Sequence, residues 1–151
     1  MPGRYFDEWA VGDRIVHQPG RTVTETDNLM FSAMTHNMQP LHLDAEAAKA
    51  SEFGRILVNS CFTFSLAVGL SIAETTLGTL VANLGFDKVV TPKPTFIGDT
   101  LTCSTEVAEM RESKSRPGQG IVTFRHELTN QRGEIALSML RTVLLRKRPA
   151  P

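Results

Sequence analysis

The feature that most constrains the fold is one apolar segment at positions 59–76, in which hydrophobic residues occur on nearly every side of a helix. Asn59 or Ser60 can cap its start, because each side chain can accept a hydrogen bond from the first backbone N–H groups. The segment is interrupted by small and polar residues and is too short to cross a bilayer. A helix that is apolar all round must therefore be surrounded by other parts of the protein.

Everything after Gly78 is typical of strands. Because no helix alternates with these strands, a doubly wound sheet is excluded. The economical arrangement wraps an antiparallel sheet around the helix, which is the α+β hot-dog fold. A second copy commonly extends such a sheet and covers its edge, so we expect a homodimer or a larger homo-oligomer. The predicted strands, separated by turn residues, are 79–86, 91–96, 101–110, 121–129 and 135–145.

Size and charge limit the class of protein. With 151 residues, 41% of them hydrophobic, the chain can bury one core, so we predict a single domain over 1–151. Its 16 basic and 16 acidic residues cancel, which indicates neither nucleic acid nor a membrane as a partner. The start of the chain resembles no secretory signal, so we expect a cytoplasmic location. Cys61 and Cys103 lack metal-ligand spacing and are predicted to be buried, with no metal bound.

Two short helices are predicted before the apolar segment. Thr24 or Asp27 can cap the first, near 27–35, and Asp44 opens the second. Between them a turn at Pro40 is expected to present His42 from a loop. Imidazole titrates near neutral pH and can exchange a proton with water, which makes His42 the first catalytic candidate. By residue type alone, a hydrogen bond to the backbone is the more common role of such a histidine.

The segment 35–44, Thr-His-Asn-Met-Gln-Pro-Leu-His-Leu-Asp, resembles the hydratase motif of MaoC-like dehydratases and R-specific enoyl-CoA hydratases. The resemblance continues through Phe53-Gly54-Arg55 and Val58-Asn59-Ser60, and it covers nearly the whole chain. It implies a hydro-lyase that adds water to, or removes it from, the α,β-double bond of an acyl-CoA thioester. No cofactor is implied, since CoA is part of the substrate.

Two positions in the motif depart from that family: Gln39, before Pro40, stands where the family has asparagine, and Asn37 bears directly on the chemistry. The family has an aspartate five residues before the histidine, where it shares the acid and base work on one water, and Asn37 occupies that position here. An amide exchanges no useful proton, so Asn37 can orient water or the thioester but cannot act as an acid or base. Three hypotheses stay open: His42 works alone, another group replaces the carboxylate, or activity is lost. The nearby replacement candidates are Glu25, Asp27, His36 and Asp44.

Thioester activation needs a donor where negative charge grows on the carbonyl oxygen, and a helix N-terminus offers free N–H groups. Asn59 and Ser60 stand at that place. The resemblance implies that the backbone N–H of Ser60, where the family has glycine, binds the thioester oxygen. Simple capping of the helix by either residue is an equally good interpretation and is compatible with this role.

Three cations between two predicted strands, Arg111, Lys114 and Arg116, can hold CoA phosphates or a substrate carboxylate. The alternative is a solvated hairpin tip. Together with Asn37 they make the chain similar to a branch acting on small dicarboxylic acyl-CoA substrates such as mesaconyl-CoA or itaconyl-CoA. No role is assigned to Lys88, Lys93 or Arg125.

Two other functions compete with the hydratase. A hot-dog acyl-CoA thioesterase normally carries its catalytic carboxylate on the central helix, where Glu74 is the only acid and lies near the far end. A non-catalytic acyl-CoA-binding or interaction subunit is favoured mainly by Asn37. Substitution of His42 separates the hypotheses, because a hydratase loses turnover while a binding protein has none to lose.

Overall fold

The computed structural model describes residues 3–149. It consists of an antiparallel sheet in the order β1-β4-β5-β6-β3, with β2 pairing on β4, and one long helix packed against it. The predicted α+β architecture is confirmed. After a short 3-10 helix at Phe6–Glu8, the elements are β1 (Arg14–Val16), β2 (Arg21–Thr22), α1 (Glu25–Met34), α2 (Pro40–Leu43), α3 (Ala45–Lys49), α4 (Ser60–Thr75), β3 (Leu80–Val90), β4 (Thr100–Glu112), β5 (Gln119–Thr129) and β6 (Ile135–Arg146).

Helix α4 contacts the sheet through small residues. Its buried positions are Thr63, Ala67, Ser71 and Thr75, which recur every four residues and form one narrow stripe. The large side chains on either side of the stripe are only partly buried, and they include Phe62, Phe64, Leu66, Val68 and Leu70. Within residues 3–149 the expected enclosure on all sides is therefore not achieved, because the sheet covers only one face of the helix.

Two clusters fill the space over the sheet. One lies under α4 and includes Leu101 and Met139, and the other lies under the N-terminal segment, where Trp9 packs edge-on against Phe124 at 5.2 Å between ring centroids. Gly120 is required in the second cluster, since a Cβ there would lie 2.2 Å from the ring of Phe6. The N-terminal segment thus covers the part of the sheet that α4 leaves open.

The connection at 91–96 was predicted as a strand, and this was wrong. Only an isolated bridge between Leu57 and Phe96 forms there. Pro92 and Pro94 have no backbone N–H to donate, so a sheet cannot continue through them. The preceding strand instead runs further than expected, to Val90.

Two smaller expectations also need correction. Helix α1 begins at Glu25, two residues before the predicted start, because Thr24 forms a reciprocal capping box with Asp27. Cys61 is exposed rather than buried, whereas Cys103 is buried as predicted, and burial raises the pKa of its thiol to about 12. Among the described residues no helix has the length and apolar character needed to cross a bilayer.

Candidate active site

His42 lies on the one-turn helix α2, not in a loop as predicted, because Pro40 has the fixed φ that suits a first helical position. Its Nδ1 is 2.7 Å from the carbonyl oxygen of Leu57. A carbonyl only accepts, so Nδ1 carries the hydrogen and, in the neutral ring, Nε2 keeps a lone pair. The side chain is half-buried. Contact with the segment leading into α4 therefore fixes the tautomer that a base at Nε2 requires.

Asn28, buried in α1, joins the His42 turn to the start of α4. Its Nδ2 donates to the carbonyl oxygen of His42 at 2.9 Å, and its Oδ1 accepts from the backbone N–H of Asn59 at 2.9 Å. The Asn59 side chain continues the network by donating to Ser32 Oγ at 3.2 Å. These bonds hold the imidazole and the helix end in one rigid unit. Asn28 could not be recognised from the sequence, because nothing local marks it as more than a polar position in a helix.

Ser60 is the residue at this helix end whose N–H stays available. The N–H of Asn59 is bound by Asn28, and the N–H of Cys61 donates to Asn59 Oδ1 at 3.0 Å. Among residues 3–149 the backbone N–H of Ser60 has no acceptor. It lies at the positive end of a 16-residue helix, where partial negative charge is favoured. Asn59 is thus the cap, and Ser60 is the candidate donor to the thioester.

Asn37 shapes the turn between α1 and α2. It follows His36, which has a left-handed φ of 56°, and its Oδ1 accepts from the backbone N–H of Gln39 at 3.2 Å. Its Nδ2 makes no hydrogen bond within the described part of the chain. The half-buried amide therefore keeps a free donor for water or substrate, but it supplies no carboxylate.

Two of the candidates to replace the missing aspartate, Asp44 and Asp27, have other partners. Asp44 accepts from the N–H groups of Glu46 and Ala47 as the cap of α3. Burial favours the neutral form of Asp27, but hydrogen bonds from Thr24 and the Arg21 guanidinium have the larger combined effect. The pKa of Asp27 is therefore held below its usual value. Asp44 is thus the cap that the sequence predicts, whereas Asp27 lies inside α1 and completes the capping box of Thr24. Glu25 and His36 are exposed.

A cavity of about 270 Å³ opens at the start of α4. Leu57, whose carbonyl oxygen binds His42, lies in its wall beside Ser60 and the buried Thr63. Most of the remaining wall is apolar or hydroxylated, with one charged side chain, Lys93, among the described lining residues. The volume suits a small ligand group more than a long chain.

Comparison with known proteins decides the family. The sequence model described as "MaoC like domain" matches residues 8–130. The chain belongs to the MaoC-like domain family. It is 33% identical to mesaconyl-CoA hydratase of Cereibacter sphaeroides and 31% identical to beta-methylmalyl-CoA dehydratase of Chloroflexus aurantiacus, over 99% of its own length in each case. It covers 44% and 43% of those proteins, so this MaoC-like domain spans less than half the length of the curated relatives it matches.

Solved structures agree with the family. The MaoC-like dehydratase from Rhodospirillum rubrum superimposes with a TM-score of 0.86 at 31% identity, covering 98% of this chain and 100% of that one. A Mycobacterium tuberculosis protein described as a double hot-dog fold gives a TM-score of 0.89 at 24% identity, covering 99% of this chain and 46% of that one. The hot-dog fold and the family resemblance, both predicted from the sequence, are confirmed.

The predicted cation cluster of this MaoC-like domain lies far from the cavity within the chain. Arg111, Lys114 and Arg116 are in and beside the hairpin between β4 and β5. At the other end of these strands, Thr129 on β5 pairs with Thr102 on β4 and with Ile135 on β6. Ile135 is followed by Ala136, which lines the cavity. A strand rises about 3.3 Å per residue, so Arg111 is about 30 Å along the sheet from Thr102. Within one protomer the structure does not bring these cations to the cavity.

Glu74, the carboxylate on which a thioesterase would depend, is bound elsewhere in this MaoC-like domain. Its Oε2 accepts from His17 Nδ1 at 2.6 Å, at the end of α4 away from Ser60. His17 Nε2 and His126 Nδ1 both bond the Thr105 hydroxyl, at 2.7 and 2.8 Å. The thioesterase hypothesis therefore loses its only acid on this helix.

Proposed function

We propose that this MaoC-like domain is an enoyl-CoA hydratase, a hydro-lyase that reversibly adds water to the α,β-double bond of a small acyl-CoA thioester. The observation that carries the proposal is the unengaged N–H of Ser60 at a helix end that Asn28 ties to the His42 turn, together with the tautomer of His42 that Leu57 fixes. Two relatives support it by their names, mesaconyl-CoA hydratase and beta-methylmalyl-CoA dehydratase. A third is the (R)-specific enoyl-CoA hydratase of Aeromonas caviae, 31% identical over 72% of this chain and 75% of that protein.

The chemistry follows from these groups. The Ser60 N–H binds the thioester oxygen, which withdraws electrons from the double bond and stabilises the enolate that forms as water adds. His42 Nε2 takes a proton from that water while its oxygen bonds to the β-carbon. The imidazolium then returns the proton to the α-carbon, so one water is added and the base is regenerated. Asn37 Nδ2 serves to orient the water, and His42 acts without a carboxylate partner.

The direct test is hydration of crotonyl-, mesaconyl- and itaconyl-CoA, followed by the absorbance of the conjugated thioester. His42→Ala should abolish turnover with little change in ligand affinity. His36→Asn is the matched control, since the neighbouring histidine is exposed and asparagine tolerates its left-handed φ. Binding of all three thioesters without turnover would replace the hydratase by an acyl-CoA-binding subunit.

We also propose that the active unit contains a second copy of this domain. Strand β3 lies at the edge of the sheet and exposes Leu84, Phe86, Val89 and Val90, while the large residues of α4 remain partly uncovered. Two relatives, the mesaconyl-CoA hydratase of Cereibacter sphaeroides and the beta-methylmalyl-CoA dehydratase of Chloroflexus aurantiacus, are more than twice as long as the region that this chain matches. A double hot-dog protein carries two hot-dog units in one chain. A homodimer of this domain would bring together the same two units from two chains.

Several expectations from the sequence stay predictions. We propose that the reaction needs no cofactor beyond the CoA of its substrate, because proton transfer and thioester binding are both assigned to protein groups. The cytoplasmic location is likewise proposed from the sequence alone.

A further inference from the structure

Lys93 is an exposed residue that lines the cavity, and its backbone is held in place by its neighbours. It lies between Pro92 and Pro94, whose rings fix φ and restrict the backbone on both sides. Two residues later the connection is attached to the segment leading into α4, since the N–H of Val58 donates to the carbonyl oxygen of Thr95 at 2.9 Å. The position of Lys93 relative to the start of α4 is therefore set by short, rigid connections.

The Lys93 ammonium has no fixed counter-ion. Among the described residues it forms no ion pair. Its charge contributes to lowering the pKa of Glu134, after larger contributions from hydrogen bonds with Asn130 and Arg132. Glu134 is already held by those two residues, at 2.9 and 2.8 Å. A cation in the wall of a largely apolar cavity is thus left to interact with whatever enters.

We propose that Lys93 binds a carboxylate on the acyl group and so selects acyl-CoA substrates with a second acid group. The inference rests on the proposed hydratase activity, which places the thioester oxygen at Ser60. From that point a short acyl group extends into the cavity that Ser60 and Lys93 share. An ammonium at its wall stabilises a carboxylate there and gives a neutral acyl group nothing comparable.

A CoA phosphate is another anion that a lysine can bind. The acyl carboxylate is the better match, because the Lys93 cavity begins at the proposed thioester site, whereas the phosphates are separated from the thioester by the length of the pantetheine arm. Replacing CoA by N-acetylcysteamine removes every phosphate and keeps the acyl group. The two sources of negative charge can therefore be separated experimentally.

The experiment compares the unmodified protein with Lys93→Met and Lys93→Arg, using mesaconyl and crotonyl thioesters of both CoA and N-acetylcysteamine. Lys93→Met should lower kcat/KM for mesaconyl-CoA by about 10- to 100-fold, mainly through KM, because a charge-assisted hydrogen bond is lost. Crotonyl-CoA should change by less than about two-fold, and Lys93→Arg should retain most activity. The same selective loss should appear with the N-acetylcysteamine thioesters. Lys49→Met, at an exposed lysine on α3, controls for loss of a surface charge.

Binding measured by calorimetry keeps the proposal separate from turnover. If the unmodified protein hydrates nothing but Lys93→Met weakens only mesaconyl-CoA binding, the hydratase fails and the carboxylate site stands. Equal losses for mesaconyl-CoA and crotonyl-CoA that vanish with N-acetylcysteamine would assign Lys93 to a phosphate and overturn the proposal. The proposal would also be overturned if the unmodified protein bound crotonyl-CoA but not mesaconyl-CoA.

Discussion

Asn28 is the residue that couples the two halves of the proposed site. Its Nδ2 donates to the carbonyl oxygen of His42, and its Oδ1 accepts from the backbone N–H of Asn59. An aspartate at this position has the same shape. It still accepts from the Asn59 N–H, but its other oxygen repels the carbonyl oxygen of His42. Asn28 thus permits a nearly isosteric test of whether the His42 turn must be held in place.

For Asn28→Asp we expect the free energy of unfolding to fall by about 2 to 3 kcal/mol, because a buried hydrogen bond is replaced by an unpaired acceptor. At temperatures where the variant is folded, kcat should fall by about ten-fold while KM changes little, since the acyl-binding wall is intact. Urea unfolding and hydration kinetics measure the two effects. A variant that loses stability but keeps its kcat would show that Asn28 has only a structural role.

Asn37 is the departure from the family motif that removes an acid-base group from the proposed site. Restoring the carboxylate with Asn37→Asp keeps the oxygen that accepts from Gln39, so the turn should survive. We expect kcat/KM for crotonyl-CoA to rise by about ten-fold or more, because a second acid-base group becomes available to the water. The double variant with His42→Ala should stay inactive. An unchanged or lower rate for Asn37→Asp would mean that the amide itself is needed in this site.

At the scale of the elements, a polar chain crosses the sheet beneath α4. It runs from Glu74 through His17 to Thr105 on β4 and His126 on β5, and the last three residues are buried. Burial lowers the pKa of His126 to about 3, with further contributions from the charges of Arg141 and His17. His126 is therefore neutral near pH 7, and the Thr105 hydroxyl joins two imidazoles.

Thr105→Val removes that shared hydroxyl and keeps the shape of the side chain. We expect the free energy of unfolding to fall by about 3 kcal/mol, because two buried ring nitrogens lose their partner. Thr123→Val is the matched control: it removes a hydroxyl of a half-buried strand residue that bonds Thr142 at 3.0 Å. This control should cost less than about 1 kcal/mol. Equal losses in urea unfolding would show that the polar chain has no special contribution.

At the scale of the whole molecule, the open edge of β3 and the uncovered sides of α4 are the surfaces that the proposed dimer would cover. Leu84, 51% exposed on this edge, is a position where a lysine would oppose pairing with a second copy. Leu84→Lys should shift the protein from dimer to monomer in sedimentation and reduce hydration together with assembly. Val11→Lys, at a residue 65% exposed outside the edge strand, should leave both unchanged. A monomeric unmodified protein with full turnover would contradict the dimer.

The sequence by itself determined the features that depend on neighbouring residues. The Asn59 cap of α4, the Thr24 and Asp44 caps, and strands β4, β5 and β6 all follow from local signals, because capping and alternation act over a few residues. Local signals were misleading at the connection 91–96. Its β-favouring residues predict a strand, but Pro92 and Pro94 lack the backbone N–H donors that a sheet needs.

The tertiary structure decided what depends on distant contacts. Asn28 occupies the N–H of Asn59, 31 positions away in sequence, and this leaves Ser60 as the available donor. Leu57 sets the tautomer of His42, and the connection between β3 and β4 brings Lys93 to the cavity, which the cations from Arg111 to Arg116 do not reach. Hydrogen bonds and charges meet across the fold according to packing, which no spacing along the chain encodes.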